Sequence, residues 1–406
     1  MTLQERFLRY VKINTTSDEN GQGCPSAACE WELARLLADE MRAMGVSNVR
    51  LDAHAYVYGE IPANCEHAPA IGLIAHMDTV DAAPGRDFHP RVVEYQGGDI
   101  CLNAEKGIVL SEKDFPELSQ RRGKHLIVTD GTTVLGADDK AGVAEIMTLC
   151  EHVLQDGSIR HGKICIGFTP DEEVGCGADK FDVAAFGAKF AYTVDGGELG
   201  EIEYENFNAA SARITVHGVG IHPGAAKNKM VNAIHIGEEF DSMLPSEQRP
   251  EYTEMYEGFI HLHTFEGCVE NARLDYIIRD HDMEKFEAKK AIVLAAAEYL
   301  NKKYGEKTVE VALRDSYYNM KEKIAPHMHL VDSVKRAMQR CGVTPITNPV
   351  RGGTDGARLS FMGLPCPNIC TGGLNYHGRF EYIPVQSLYK TCEILLEIVN
   401  LTVENK

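Results

Sequence analysis

A set of histidine and acidic residues recurs at similar places in the first half of the chain, each just after a short apolar run or at the start of a helical pattern. They are His76 and Asp78, Asp138 and Asp139, Glu172 and Glu173, and Asp195. Carboxylates gathered in one crevice repel each other, since like charges a few ångströms apart cannot all stay ionised. A divalent cation resolves that conflict. Imidazole with carboxylate ligands suits zinc or its neighbours better than calcium or magnesium.

The elements that must position these side chains are predicted by four apolar runs with helical patterns between them. The runs are residues 70–75, 124–128, 163–169 and 190–194. Strands alternating with helices predict an α/β fold, with a mixed, largely parallel sheet sandwiched by helices. In open parallel sheets the ligand crevice lies at the carboxyl ends of the strands. If these four strands are adjacent and parallel, the histidine and the carboxylates converge there.

The pattern changes in the middle of the chain. Residues 212–217 and 272–280 alternate between apolar and polar side chains, as half-buried antiparallel strands do, and residues 283–304 form a helical pattern. We therefore expect an inserted α+β lid or dimerisation domain. The predicted division is 1–207 for the first part of the catalytic domain, 208–318 for the insertion and 319–406 for the second part of the catalytic domain. Two domains also suit a chain of 406 residues.

Composition excludes several classes of protein. The chain has 41 Lys and Arg against 60 Asp and Glu, a net charge of −19, and such a surface repels nucleic acid. No apolar stretch reaches the roughly 18 residues of a membrane span, and the amphipathic residues 3–11 do not form a secretory signal. The 12 cysteines include no CxxC pair and suit reduced thiols. A cytoplasmic protein without nucleic acid or membrane partners is expected.

Five ordered motifs resemble the metal-site motifs of the co-catalytic zinc exopeptidases, a family that includes aminoacylases and dipeptidases. Among its members, the motifs are most similar to those of the peptidase T group of tripeptide aminopeptidases. The motifs are HMDTV at 76–80, GADDKAG at 136–142, FTPDEEVG at 168–175, TVDGG at 193–197 and YHG at 376–378. Any one motif alone is weak, but five in this order and spacing over nearly the whole chain are specific.

The resemblance implies a site with two zinc ions (Zn²⁺) per subunit, or cobalt or manganese in their place. The implied ligands are Asp138 between the two ions, His76 and Asp195 on one ion, and Glu173 and His377 on the other. Glu172 would be the general base, and Asp78 would orient His76 through its other ring nitrogen. The family also implies a cis peptide bond between Asp138 and Asp139.

The resemblance further implies release of the N-terminal residue from short peptides, chiefly tripeptides. His222 is the candidate donor to the developing oxyanion, because comparable exopeptidases carry a histidine of the lid there. Arg279 and Arg351 are candidates for binding the far carboxylate of the substrate, since a guanidinium group matches a carboxylate with two parallel hydrogen bonds. A short peptide substrate and a possible homodimer complete the expected partners.

Less specific interpretations stay open for single residues. Asp139 suits a helix-capping acid at least as well as a functional one, and Glu172 with Glu173 alone would suit a solvated pair. Two other functions also remain. A dipeptidase or N-acyl-amino-acid deacylase would use the same two-metal core, and a non-catalytic metal-binding protein would need no base at Glu172.

Overall fold

The structure, a computed structural model, describes residues 1–404 and contains two compact units. The first unit comprises Met1–Tyr204, Glu322–Asn348 and the chain from Thr354 onward. The second comprises Glu205–Lys321 and Pro349–Gly353. Among residues 1–404, no helix is both long and apolar enough to cross a membrane.

Helices and strands are numbered here along the chain. The helices are α1 (Leu3–Tyr10), α2 (Glu30–Met44), α3 (Ala137–Gln155), α4 (Val183–Phe186), α5 (Ala233–Ser242), α6 (Met283–Tyr304), α7 (Lys321–Ile324), α8 (His329–Arg340), α9 (Asp355–Phe361) and α10 (Val385–Glu404). The strands are β1 (Ser47–Leu51), β2 (Val57–Ile61), β3 (Ile71–His76), β4 (Arg91–Tyr95), β5 (Ile100–Asn103), β6 (Ile108–Leu110), β7 (Lys124–Val128), β8 (Ile164–Thr169), β9 (Phe190–Gly196), β10 (Ile202–Glu203), β11 (Asn208–His217), β12 (Phe259–Gly267), β13 (Asn271–Asp280), β14 (Val309–Tyr317), β15 (Asn368–Cys370) and β16 (Tyr382–Pro384).

The main sheet of the first unit has seven strands in the order β1-β2-β8-β3-β9-β15-β10. The inner strands β8, β3, β9 and β15 run parallel, and the outer pairs are antiparallel. Every residue of β3 and β8 is buried. This confirms the prediction from their apolar runs that both faces of these strands are covered. The expected fold class, a mixed and largely parallel sheet with helices, is confirmed.

One of the four expected neighbours in that sheet was assigned wrongly. Strand β7 (124–128) lies instead in a three-stranded sheet between β16 and β4, and both pairings are antiparallel. Its first two residues are exposed, and its last three pack in a separate apolar cluster with Tyr95 and Tyr382. The fourth parallel strand is β15, whose three residues are too few to show a periodicity in the sequence.

Helix α3 lies against β3 and β9 and is buried on almost all sides, so its sequence is apolar around most of its circumference. Gly142 allows a close approach at this contact. A Cβ atom there would lie well within 3.0 Å of the main-chain oxygen of Val194 on β9. The absence of a side chain at Gly142 therefore lets the first turn of α3 reach the carboxyl end of the parallel strands.

The second unit is built on a four-stranded antiparallel sheet in the order β12-β13-β11-β14. Strand β11 pairs with β13 over ten residues without a register shift. Burial alternates along β11, and helices α5 and α6 pack on the sheet. Phe240, Phe286 and Leu300 of these helices are fully buried in the core of this unit. The α+β character expected for the insertion is present.

Candidate metal centre

The carboxyl ends of β3 and β9 bring a histidine and an aspartate together. His76 is the last residue of β3 and is buried. Its Nε2 atom lies 3.3 Å from Asp195 Oδ1, near the end of the adjacent parallel strand β9, and 2.9 Å from Asp138 Oδ1. Its other ring nitrogen, Nδ1, lies 3.3 Å from Asp78 Oδ1 and 3.1 Å from the main-chain oxygen of Asp78. The ring is therefore fixed on both sides.

The Asp78 carboxylate also fixes the loop that follows β8. Its Oδ1 atom accepts a hydrogen bond of 2.9 Å from the amide of Glu172, and its Oδ2 atom accepts one of 3.1 Å from the amide of Glu173. Asp78 is fully buried. One side chain thus sets the orientation of the His76 ring and the position of two neighbouring glutamates.

His377 approaches from the loop that follows β15. Its Nε2 atom lies 3.0 Å from Asp138 Oδ2 and 3.0 Å from Glu173 Oε2. The residue has a φ of 57°, in the left-handed region that histidine adopts more readily than most residues. Its side chain is 55% exposed, whereas that of His76 is 2% exposed. The His377 side of the cluster therefore faces solvent and offers the access that a substrate needs.

Asp138 lies between the two histidines, with Oδ1 towards His76 and Oδ2 towards His377. The peptide bond between Asp138 and Asp139 is cis, as the resemblance implied. Both residues have non-helical backbone angles, so the regular part of α3 begins after them. Because these backbone angles are non-helical, the Asp138 carboxylate points away from the helix and into the cluster.

Asp139 offers an alternative ligand set. Two groups of side chains have donor atoms within 4.8 Å of one another: His76 with Asp139 and Asp195, and His76 with Asp138 and Glu173. Both oxygens of Asp139, however, accept main-chain hydrogen bonds of 3.1 Å, from His76 and from Gly142. The bond to Gly142, three residues later, is the bond that an N-cap side chain makes. The capping interpretation of Asp139 agrees with this geometry.

The electrostatics of the cluster follow from burial and close charges. Burial, together with the Asp195 carboxylate, raises the pKa of Glu172 well above its usual value. Burial also raises the pKa of Asp195 to about 7. Hydrogen bonds to Asp138 and Glu173 raise the pKa of His377 to about 11. The carboxylates thus resist ionising together, and the imidazole groups are drawn towards the cationic form.

These residues fit a divalent cation. The donor set consists of imidazole nitrogens and carboxylate oxygens, which zinc and its neighbours prefer. Glu173 Oε1 is buried and has no hydrogen-bond partner among residues 1–404. A buried polar atom without a partner costs about 1–3 kcal/mol, and a cation would supply the missing interaction. The cluster is therefore a candidate binding site for one or more divalent cations.

The residues predicted to contact substrate lie in the second unit. His222 is exposed, and its Nδ1 atom accepts a hydrogen bond from the amide of Gly224. Arg279 donates from Nη1 to two main-chain oxygens and stacks on the Tyr317 ring. Arg351 donates from Nη1 and Nη2 to main-chain oxygens of the loop 253–257 and to a threonine hydroxyl. Their substrate contacts stay predictions.

Sequence reasoning missed Glu381 in the first unit. This buried carboxylate accepts hydrogen bonds from the amides of Leu135, Gly136 and Asp138. Nothing in its sequence neighbourhood separates it from an ordinary surface acid. The only available signal is its position four residues after His377.

Comparisons with a family model, curated sequences and solved structures all match the chain to peptidases. Residues 204–308 match the M20_dimer family, a peptidase dimerisation domain. The chain is 55% identical to peptidase T of Alkaliphilus oremlandii over 401 residues, and 55% identical to peptidase T of Clostridium acetobutylicum over 402 residues, covering 98% of each chain in both cases. The crystal structure of aminopeptidase PepT from Bacillus cereus superposes with a TM-score of 0.78 at 26% identity, covering 99% of this chain and 98% of that one.

Proposed function

From its membership of the peptidase T family, which the motifs had indicated, we propose an activity for the chain. It is a metal-dependent aminopeptidase that releases the N-terminal residue of tripeptides. The observation that supports this best is the cluster at the carboxyl end of the parallel strands. There Asp138 directs one carboxylate oxygen to each of two histidines. Such a shared carboxylate is what a site for two adjacent cations needs.

We propose that Asp138 would hold both cations, with His76 and Asp195 completing one site and Glu173 and His377 completing the other. Asp138 is favoured over Asp139 because both oxygens of Asp139 are occupied by main-chain amides. The unpartnered Oε1 atom of Glu173 supports a cation on that side. We propose zinc as the working metal, and cobalt or manganese would suit the same donors.

When bound, the two cations supply Lewis acidity, which lowers the pKa of water and polarises the scissile carbonyl. The chain itself supplies the proton transfers. Glu172 takes a proton from the attacking water and returns it to the leaving amine. Asp78 acts as a positioning residue, because its carboxylate accepts the amide hydrogen bond of Glu172.

Selectivity for short, unblocked peptides requires groups that bind both ends of the substrate. The acidic cluster attracts the free N-terminal amine. His222 is the proposed donor to the oxyanion, and Arg279 or Arg351 would bind the distal carboxylate. Of the two arginines, Arg279 is the better candidate, because all its hydrogen bonds within residues 1–404 use Nη1, whereas Arg351 uses both Nη1 and Nη2.

We further propose that the protein is a homodimer, since residues 204–308 match a peptidase dimerisation domain. A cytoplasmic location is proposed from the sequence, whose 12 cysteines suit a reducing compartment. Size-exclusion chromatography with light scattering tests the dimer, which an observed mass of one chain at micromolar concentration would contradict.

The central experiment is a peptide panel with the metal-loaded protein. Protein loaded with zinc, cobalt or manganese is incubated with unblocked tripeptides, the same tripeptides N-acetylated, dipeptides and N-acetylated amino acids. We expect a free N-terminal residue and a dipeptide from the unblocked tripeptides alone. Failure to cleave any unblocked tripeptide would refute the proposal, and faster cleavage of N-acetylated amino acids would favour a deacylase.

A pair of variants separates catalysis from metal binding. Glu172→Ala should abolish turnover and keep the metal content of the wild type, because Glu172 is not among the proposed ligands. Glu32→Ala, an exposed glutamate on α2, is the matched control and should leave both unchanged. Metal content measured by mass spectrometry together with tripeptide turnover distinguishes these outcomes. Wild-type turnover in Glu172→Ala would disprove the assigned base.

A further inference from the structure

A single buried carboxylate binds the main chain immediately before and within the first turn of α3. Glu381 Oε2 accepts hydrogen bonds of 2.8 Å from the amides of both Leu135 and Gly136, and Oε1 accepts one of 3.0 Å from the amide of Asp138. The side chain is 2% exposed. Three main-chain hydrogen bonds to one buried side chain fix the backbone of this turn.

The turn has no local means of satisfying these amides. Gly136, directly before α3, has a left-handed φ of 76° and no side chain that could accept a hydrogen bond. The first amides of a helix lack partners within the helix and need acceptors from elsewhere. Glu381, more than 240 residues away along the chain, accepts one of these helix amides, that of Asp138, and also the amides of Leu135 and Gly136 just before the helix.

The location of Glu381 ties the turn to a second part of the cluster. Glu381 follows His377 by four residues and directly precedes β16. The same short segment therefore carries His377, which lies 3.0 Å from Asp138 Oδ2, and the carboxylate that accepts the amide of Asp138. One loop therefore contacts both the carboxylate of Asp138, through His377, and the main chain of Asp138, through Glu381, and so sets the distance between Asp138 and His377.

We propose that Glu381 is a positioning residue that holds Asp138 and His377 at the separation required to bind a second cation. This inference rests on the two-cation site of the proposed function. Partners of ligand residues that do not contact the metal typically change metal affinity by 10–100-fold when they are lost. Loss of the Glu381 carboxylate should therefore weaken the second cation and leave the fold of the chain intact.

The test uses Glu381→Gln, which preserves the size of the side chain. The amide group of glutamine can accept on one side only, so its NH₂ group must face either the Leu135 and Gly136 amides or the Asp138 amide. Zn²⁺ binding to the chelator-treated full chain is measured by calorimetry, and the visible absorption of Co²⁺ reports the ligand geometry. We expect about 10–100-fold weaker binding of one of the two cations, an altered Co²⁺ spectrum, and turnover that excess metal restores.

The matched control is Asp52→Asn. Asp52 Oδ1 accepts hydrogen bonds from the amides of His54 and Tyr56, at 2.8 and 3.0 Å. This turn lies in the same unit as Glu381 and contains none of the proposed metal ligands. We expect this variant to lower the melting temperature slightly and to bind both cations with wild-type affinity. The comparison separates general loss of a main-chain acceptor from an effect on the metal site.

The outcomes separate the two proposals. If the wild type binds no cation, the proposed function fails and this inference fails with it. If the wild type binds two cations and Glu381→Gln binds both with the same affinity and the same Co²⁺ spectrum, only the inference is overturned. Should Glu381→Gln not fold, Glu381→Asp replaces it. The shorter carboxylate should weaken the second cation, and wild-type affinity in that variant would equally overturn the inference.

Discussion

Replacement of Gly142 by alanine sets two opposite effects against each other. Alanine is a better helix former than glycine by about 1 kcal/mol, so helix propensity alone predicts a stabilised protein. The new methyl group, however, would lie well within 3.0 Å of the main-chain oxygen of Val194 and 2.5 Å from Asp139 Oδ1. Real Cβ atoms essentially never come within 3.0 Å of such atoms.

The size of the net effect follows from which atoms must move. The oxygen of Val194 belongs to the backbone of the central strand β9, so no side-chain rotation can relieve the contact. Overpacking a well-packed core costs about 1–3 kcal/mol, and a main-chain obstacle puts Gly142→Ala near 3. After subtraction of the gain of about 1 kcal/mol in propensity, we expect a net loss of about 2 kcal/mol. For a unit of this size, that loss lowers the melting temperature by roughly 3 °C.

Thermal unfolding of the wild type, Gly142→Ala and Gly157→Ala measures this balance. Gly157 follows the same helix, and an added Cβ there would meet nothing within 4 Å, so we expect a change within about 0.5 kcal/mol. Gly142→Ala should also bind metal more weakly, because α3 must move away from the strand that carries Asp195. A melting temperature for Gly142→Ala at or above that of the wild type would refute the packing argument.

Two further variants test buried ionisable side chains away from the metal centre. Glu145 on α3 is fully buried, neither of its carboxylate oxygens has a partner among residues 1–404, and burial raises its pKa well above its usual value. The folded chain then keeps this proton to higher pH than the unfolded chain, so its stability should fall as pH rises above about 4.5. Glu145→Met should therefore raise the melting temperature more at pH 8 than at pH 5, and an equal shift at both would contradict this. Arg6 is 1% exposed and pairs at 2.8 Å with both Glu40 and Glu151. Arg6→Met should lower the free energy of unfolding, measured with denaturant, by about 2–4 kcal/mol. This loss is smaller than for a fully buried pair because both acids are partly exposed. A loss under 0.5 kcal/mol would show that the pairs contribute little.

The sequence predicted the side chains that converge better than it predicted the sheet that brings them together. His76 and Asp195 could be placed because each follows an unbroken apolar run, and such runs form parallel strands whose carboxyl ends meet. Strand β7 has the same apolar character over its last three residues, but its partners are β4 and β16. The choice of partner strand depends on the packing of the whole unit, and the short strand alone does not encode it.

Residues whose function depends on contacts distant in sequence were the hardest to recognise. The contacts of Glu381 with Leu135, Gly136 and Asp138 span more than 240 residues, and no local pattern predicts them. Asp139 was predictable only as an alternative, because an acid at a helix start suits both capping and metal binding. In both cases the role of the residue is decided by hydrogen bonds to main-chain amides, which cannot be predicted from the sequence alone.

Those hydrogen bonds divide five of the acids around the metal centre into two groups. Asp78, Asp139 and Glu381 each use both carboxylate oxygens to accept main-chain amides. Asp138 and Glu173 direct their oxygens towards histidines instead, and one oxygen of Glu173 has no partner within residues 1–404. A carboxylate whose charge is already balanced by amides gains little from a cation, whereas one without such partners gains much. We therefore expect the first group to build the frame of the site and the second group to bind the metal. All five residues are Asp or Glu, so their residue types in the sequence do not distinguish the two groups.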